Sequence, residues 1–134
     1  MQNIESIISF NIKERFPECS VYKDRAEMTT RPCFFIQQIQ NKIEKKLGNR
    51  YKTEHFIQII YLPESDQMTD YMKLNHVGTA LYDIVEIMTY KEDTVKARNM
   101  KYRMEDNALQ FFADIITQKQ RVHEKTKMQI LEIE

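Results

Sequence analysis

The side chains able to serve as nucleophile, general base or metal ligand are few and scattered. They are 2 cysteines, Cys19 and Cys33, and 3 histidines, His55, His76 and His123. A bound metal needs ligands that converge to about 2 Å of one ion, which in sequence shows as Cys-x-x-Cys or as His at i and i+4 on one helix. Neither pattern occurs, so no metal site is expected. A thiolate–imidazole couple needs only proximity in space, so a small cysteine-dependent enzyme stays open as an alternative, with no flanking signature behind it. The carboxylate pairs Glu64/Asp66 and Glu92/Asp93 fall in polar stretches, where solvation accounts for them. A phosphate cradle requires several glycines so that backbone N–H groups can approach the anion. With only Gly48 and Gly78, no nucleotide cofactor is expected. The residues therefore supply no catalytic motif and no cofactor site.

The elements that would position these groups follow from periodicity. Ile4, Ile7, Ile8 and Ile12 share one face of a helix that must stop near Phe16, because Pro17 pushes its predecessor out of the helical region. A short strand is expected at Ser20–Tyr22. After a polar connection from Arg25 to Arg31, Pro32 opens a strand from Cys33 to about Gln40. Asn41 to Arg50 is lysine-rich and holds Gly48-Asn49, suited to positive φ, so it reads as a hairpin tip or exposed loop. Tyr51 to Leu62 alternates, with His55, Ile57, Ile59 and Tyr61 on one face, and Pro63 ends it. Leu74, Val77, Leu81, Ile84, Val85 and Met88 trace a second helix within Asp66–Tyr90, with Thr69 or Asp70 as its cap. Gly78 inside it implies close approach to the sheet. Asn99–Met104, a turn at Glu105-Asp106-Asn107, and the run Leu109, Phe111, Ala113, Ile115 form a second hairpin. The expected fold is α+β: an antiparallel sheet of two long hairpins with two helices packed on one face.

Composition sets the class. The chain has 134 residues, which suits one domain, expected over 1–120, followed by a charged extension over 121–134. Within that extension Met128-Gln129-Ile130-Leu131-Glu132-Ile133 alternates weakly, as a segment that pairs with a neighbour would. Lys and Arg total 20 and so do Asp and Glu, giving a net charge of +0, which excludes a dedicated duplex-DNA binder. No apolar run reaches the roughly 20 residues that span a bilayer, so no membrane partner is expected. With 2 cysteines and no basic-then-apolar leader, an intracellular setting with reduced thiols is expected.

Two features suggest contacts with other molecules. Phe34, Phe56, Ile60, Phe112 and Ile116 are expected on the sheet face opposite Ile57 and Phe111, where helices on one side would leave them uncovered. Subunit contact would cover them; so would a register slip or an extra strand. The loop carrying Lys42, Lys45, Lys46 and Arg50 is either a solvated turn or an arm that docks on a charged partner or faces a DNA-filled channel.

The run Arg31-Pro32-Cys33-Phe34-Phe35-Ile36, then Leu47-Gly48-Asn49-Arg50-Tyr51, then Tyr61-Leu62-Pro63, resembles the tail terminator family of phages and phage-derived contractile tails of low-GC Gram-positive bacteria. Asn99-Met100-Lys101-Tyr102 and Asp106-Asn107-Ala108-Leu109-Gln110-Phe111-Phe112 are similar to that family's closing hairpin, which usually has Gly where Asn107 stands. The likeness spans about Ile4 to Thr117.

The resemblance implies a virion structural protein, assembled in the host cytoplasm and placed at the head-proximal end of a phage or bacteriocin tail. Its partners would be itself, as a ring and typically a homohexamer, the tail tube protein, the sheath protein if the tail contracts, and a neck or collar protein. DNA would be met only non-specifically in the lumen. The loop Lys45, Lys46, Leu47, Gly48, Asn49, Arg50 and Tyr51 is the expected partner contact. Another neck component, a stopper or adaptor, is the alternative of nearest kind.

Overall fold

The structure is a computed structural model that describes residues 3–23, 30, 32–48, 50–64 and 71–120, with side chains described as far as Thr117. Helix α1 (Ile4–Arg15) begins where Asn3 caps it, its Oδ1 accepting from the Glu5 N–H at 2.7 Å and the Ser6 N–H at 3.3 Å. Glu5 in the first turn and Lys13 and Arg15 in the last complement the helix dipole. Ile4, Ile7, Ile8 and Ile12 are buried, and the helix stops before Phe16-Pro17, as the proline requires. The short β1 (Ser20–Tyr22) then pairs in parallel with β2 (Cys33–Lys45).

β2 and β3 (Arg50–Leu62) form a hairpin longer than its expected first arm: the strand passes Gln40 and runs to Lys45. The reason lies across the ladder, where Lys42 faces Glu54 and Glu44 faces Lys52. Opposite charges directly across a pair support pairing even in a polar stretch. β3 also pairs with β6 (Ala108–Gln120), and β6 with β5 (Asp93–Glu105). The turn between the last two places Asp106 at φ 52° and Asn107 at φ 59°. Both central residues in the left-handed region make a type I′ turn, which explains why Asn or Gly is wanted at position 107.

Helix α2 (Tyr71–Glu86) buries Leu74, Val77, Gly78, Ala80, Leu81, Ile84 and Val85. Its proposed caps, Thr69 and Asp70, lie outside the described residues. Met88 is buried as the stripe requires, yet not by the helix: Ile87–Tyr90 is a fourth strand in sequence, β4, paired with Asp93–Lys96 across a turn with Lys91 at φ 58°. Ile-Met-Thr-Tyr is rich in strand formers, and alternation leaves Met88 inward with Ile87 and Thr89 exposed. The Asn11 Nδ2–H donates to the Thr89 carbonyl at 3.0 Å and ties this strand to α1.

The sheet order is β1-β2-β3-β6-β5-β4, an α+β arrangement in which the two expected hairpins are the centre and short strands extend both flanks. The helices lie against one face, burying Ile36, Ile57, Ile59, Leu109, Phe111, Ala113 and Ile115. Phe34 belongs to this same core, stacked 5.3 Å from Phe16 and 5.0 Å from Tyr61, and not to the opposite face where it was expected. Register explains the correction: Phe34 pairs with Tyr61 and Ile36 with Ile59, so Cys33 and Phe35 take the outer face. Gly78 faces Tyr102 of β5 so closely that an added Cβ would sit 2.7 Å from its ring. The predicted approach of helix to sheet is thus real, and the Tyr102 hydroxyl donates to Asn75 Oδ1 on the same helix.

Candidate functional site: the hairpin arm and the helix-free face

Beyond the core the central strands continue as a three-stranded arm, formed by Gln38–Lys45 of β2, Arg50–Phe56 of β3 and the end of β6. At about 3.3 Å per residue the β2 part alone is about 25 Å long. Where the arm leaves the core, His55 bridges its three strands. The His55 Nδ1–H donates to Gln38 Oε1 at 3.0 Å, and Nε2 is hydrogen-bonded to the Thr117 hydroxyl at 3.2 Å. Two rotamer-limiting bonds on one ring stiffen the root of the arm.

Of the residues expected to contact a partner, Lys45 ends β2 opposite Tyr51 on β3, while Lys46, Leu47 and Gly48 form the tip, with Arg50 opening β3. Asn49 lies outside the described residues. Gly48 adopts φ 71°, and the Lys46 N–H donates to the Arg50 carbonyl at 2.9 Å, closing the turn. Leu47 is 93% exposed, an apolar side chain held at the extremity by a closed turn. Lys46 Nζ lies 2.6 Å from Glu44 Oε1, and this bond, followed by the charges of Lys46, Lys52 and Lys42, holds the Glu44 carboxyl below its ordinary range. The arm therefore presents lysines around two paired carboxylates, Glu44 held by Lys46 and Glu54 held by Arg98 at 3.4 Å. Ile43 at 69% and Ile39 at 54% are further exposed apolar groups on β2. Among the described residues, no strand pairs with β2 from Ile36 to Lys45 on its side away from β3.

The face away from the helices carries Phe35, Phe56, Ile60, Phe112 and Ile116. Phe35 is buried; the other four are half-buried. Two bulges meet at one level of this face: β2 slips between Gln38 and Gln40, and β5 between Arg98 and Lys101. Bulges bend their strands and increase local twist. Between them lies an open groove of about 560 Å³ floored by Phe56 and Phe112, with Ile39, Asn99, Lys101 and Asp114 around it. Asn99, at φ 54° in its bulge, donates from Nδ2 to Asp114 Oδ2 at 2.9 Å. Lys101 Nζ and the Arg103 guanidinium lie 5.8 Å and 5.5 Å from the centre of the Phe112 ring.

Sequence reasoning did not find the groove.

The thiols do not assemble a reactive couple with His55. Both are buried, and burial, then the charge of Glu18 and then Cys33, pushes the Cys19 thiol up, away from the thiolate. Cys33 pairs with Leu62, seven residues along β3 from His55, or about 23 Å at strand rise. His76 is exposed on α2, and His123 lies outside the described residues. Among the described residues no three His, Cys, Asp or Glu side chains converge as a metal site would need, and no helix is long and apolar enough to cross a membrane.

A family model described as phage tail terminator protein matches residues 3–127. No curated protein matches the chain.

Proposed function

Because the chain belongs to the phage tail terminator family, and is thus a structural component of a phage tail, we propose that it closes the head-proximal end of the tail tube as a ring of identical subunits, a hexamer. The family match, which covers nearly the whole of the described chain, is the observation that carries this reading. The ring repeats the tube's symmetry on its lower face and lacks, above, the surface on which another tube ring would grow. Polymerisation stops there, and the upper face is left for a neck or collar protein. In a contractile tail the same ring holds the last layer of sheath.

The geometry supports this division of labour. A ring needs a heterologous contact that closes by rotation, so each subunit must carry two different complementary surfaces. The grooved outer face and the tip of the projecting arm are two such surfaces, one on the face of the sheet and the other at the end of the β2–β3 hairpin. Residues 45–51 form the contact with the tail partner, with Leu47 as the apolar anchor and Lys45, Lys46 and Arg50 steering approach to an acidic surface. Net charge of +0 suits a lumen that DNA passes through without binding tightly.

Deletion of the gene tests the proposal: overlong tubes or tails with ragged upper ends are expected, and tails of uniform length with normal ends would refute it. Reversing Lys45, Lys46 and Arg50 to Glu should abolish capping while leaving the fold intact; unimpaired assembly would remove the arm from the interface.

A further inference from the structure

The groove between the two bulges has a composition that selects its occupant. Its floor is aromatic, Phe56 and Phe112, and its β5 side carries Lys101, while Arg103 lines an adjoining depression that shares Lys101 and the Phe112 ring; the carboxylate in the groove, Asp114, is already engaged by Asn99. Lys101 makes no ion pair among the described residues, and the approach of Arg103 to Glu105 is a loose 3.8 Å on the exposed surface. A fitting ligand is therefore an apolar segment that carries carboxylates at one end.

The chain itself ends in such a segment. Met128-Gln129-Ile130-Leu131-Glu132-Ile133-Glu134 places four large apolar residues beside Glu132 and Glu134. It is joined to β6 by Arg121-Val122-His123-Glu124-Lys125-Thr126-Lys127. That joining stretch contains no Gly, Pro, Asn, Asp or Ser, the residues that make tight reversals, so its sequence favours carrying the chain onward from Gln120. Seven residues extend at most about 25 Å. Asp114, at the near end of the groove, lies six residues before Gln120, about 20 Å back along β6. Return to the same subunit's groove would demand a reversal within these seven residues, which their composition disfavours, so the sequence favours an adjacent subunit as the host of residues 128–134.

We propose that the groove formed by Phe56, Phe112 and Lys101, with Arg103 beside it, receives residues 128–134 of a neighbouring copy of this chain. Met128, Ile130, Leu131 and Ile133 cover the aromatic floor, and Glu132 and Glu134 pair with Lys101 and Arg103. Groove and tail are different surfaces of one subunit, so the contact is head-to-tail and passes from copy to copy around a ring. The choice of a neighbouring copy rests on the ring reading above; the fit of the segment to the groove does not.

Cross-linking of full-length chains tests it, in solution and on tube ends. Chains bearing K101C are mixed with chains bearing E132C under a mild oxidant; Cys19 and Cys33 are buried and do not compete. The expected result is a disulfide-linked heterodimer at least several-fold above either homodimer, and a ladder of linked copies from K101C/E132C. No heterodimer in either setting overturns the proposal. A K101C/E132C chain that closes on itself as a monomer also overturns it, by assigning the groove to its own tail. A charge exchange gives a second reading: K101E/R103E chains and E132K/E134K chains should each fail to associate alone and recover when mixed, and failure to recover counts against the contact. Rings that form normally without the heterodimer would refute this contact alone. A heterodimer from chains that never ring on tubes would refute the ring reading alone.

Discussion

Replacing Gly78 by Ala should destabilise the protein, although alanine is the better helix former. The glycine lies within α2, so the substitution gains about 1 kcal/mol of helix propensity. Against this, the new methyl would meet three atoms of the Tyr102 ring at 2.7–2.8 Å, a separation no packed carbon pair tolerates. The ring cannot swing aside cheaply. Its hydroxyl is bonded to Asn75, and its edge packs on Tyr82 at 5.8 Å between centroids, while Tyr82 in turn bonds the Met100 carbonyl at 2.7 Å. Overpacking of this kind costs about 1–3 kcal/mol, so the net loss is about 1 kcal/mol. The decisive measurement is a double-mutant cycle by urea unfolding, with Tyr102→Ala as the second change. Once the ring is gone, Gly78→Ala should change sign and stabilise by about 1 kcal/mol, a coupling of about 2 kcal/mol. Equal effects of Gly78→Ala in both backgrounds would refute the account of helix–sheet packing.

Other consequences follow from burial, turn geometry and ionisation. Phe111→Ala empties a fully buried site and should cost about 3–5 kcal/mol in denaturant unfolding, whereas Phe112→Ala, next along the strand but half-exposed on the grooved face, should cost well under half of that. Asn107→Gly should be tolerated within about 0.5 kcal/mol, and Asn107→Ala should cost about 1 kcal/mol, because φ 59° suits Asn and Gly but strains a β-carbon lacking a compensating polar group. Burial also raises the Cys19 thiol above its ordinary 9.0 and the Tyr61 hydroxyl above 10.0. Each fold-raised group contributes stability that is complete below its ordinary value and lost as pH climbs toward the raised one. Stability should therefore fall above about pH 9, and Cys19→Ala should flatten the first part of that fall in a pH series of melts.

The helices were legible because four isoleucines in α1 and the stripe in α2 repeat at a helical period over several turns, a signal that packing reinforces. Ser20–Tyr22 and the Asp106-Asn107 turn were equally plain, the first from strand formers between polar residues, the second from residues that accept positive φ. Four things were not. Phe34 and Phe35 are adjacent and identical in type, so only the ladder to Tyr61 and Ile60 decides which faces the helices. Met88 continued the helical stripe by position while Ile87–Tyr90 had left the helix, since a buried strand residue and a buried helix residue look alike over four positions. The β2 half of the arm, Asn41–Lys45, read as a hairpin tip or loop because it is held by Lys–Glu pairs across the ladder and not by an apolar face, whereas its partner from Tyr51 read as a strand. The groove depends on two bulges in strands distant in sequence, at Gln38/Gln40 and Arg98/Lys101, that meet at one level only after β3 and β6 are inserted between them.

The central claim is that this protein ends a tail tube by closing a ring on it. The most direct test is the mass of the purified full-length chain in solution, alone and mixed with its tail tube protein, with the tube ends imaged in the same samples. The account predicts that the chain is recruited to one end of each tube as six copies, after which the tubes stop lengthening. A chain that keeps the same mass with and without tubes, and leaves their growth unchanged, would contradict it.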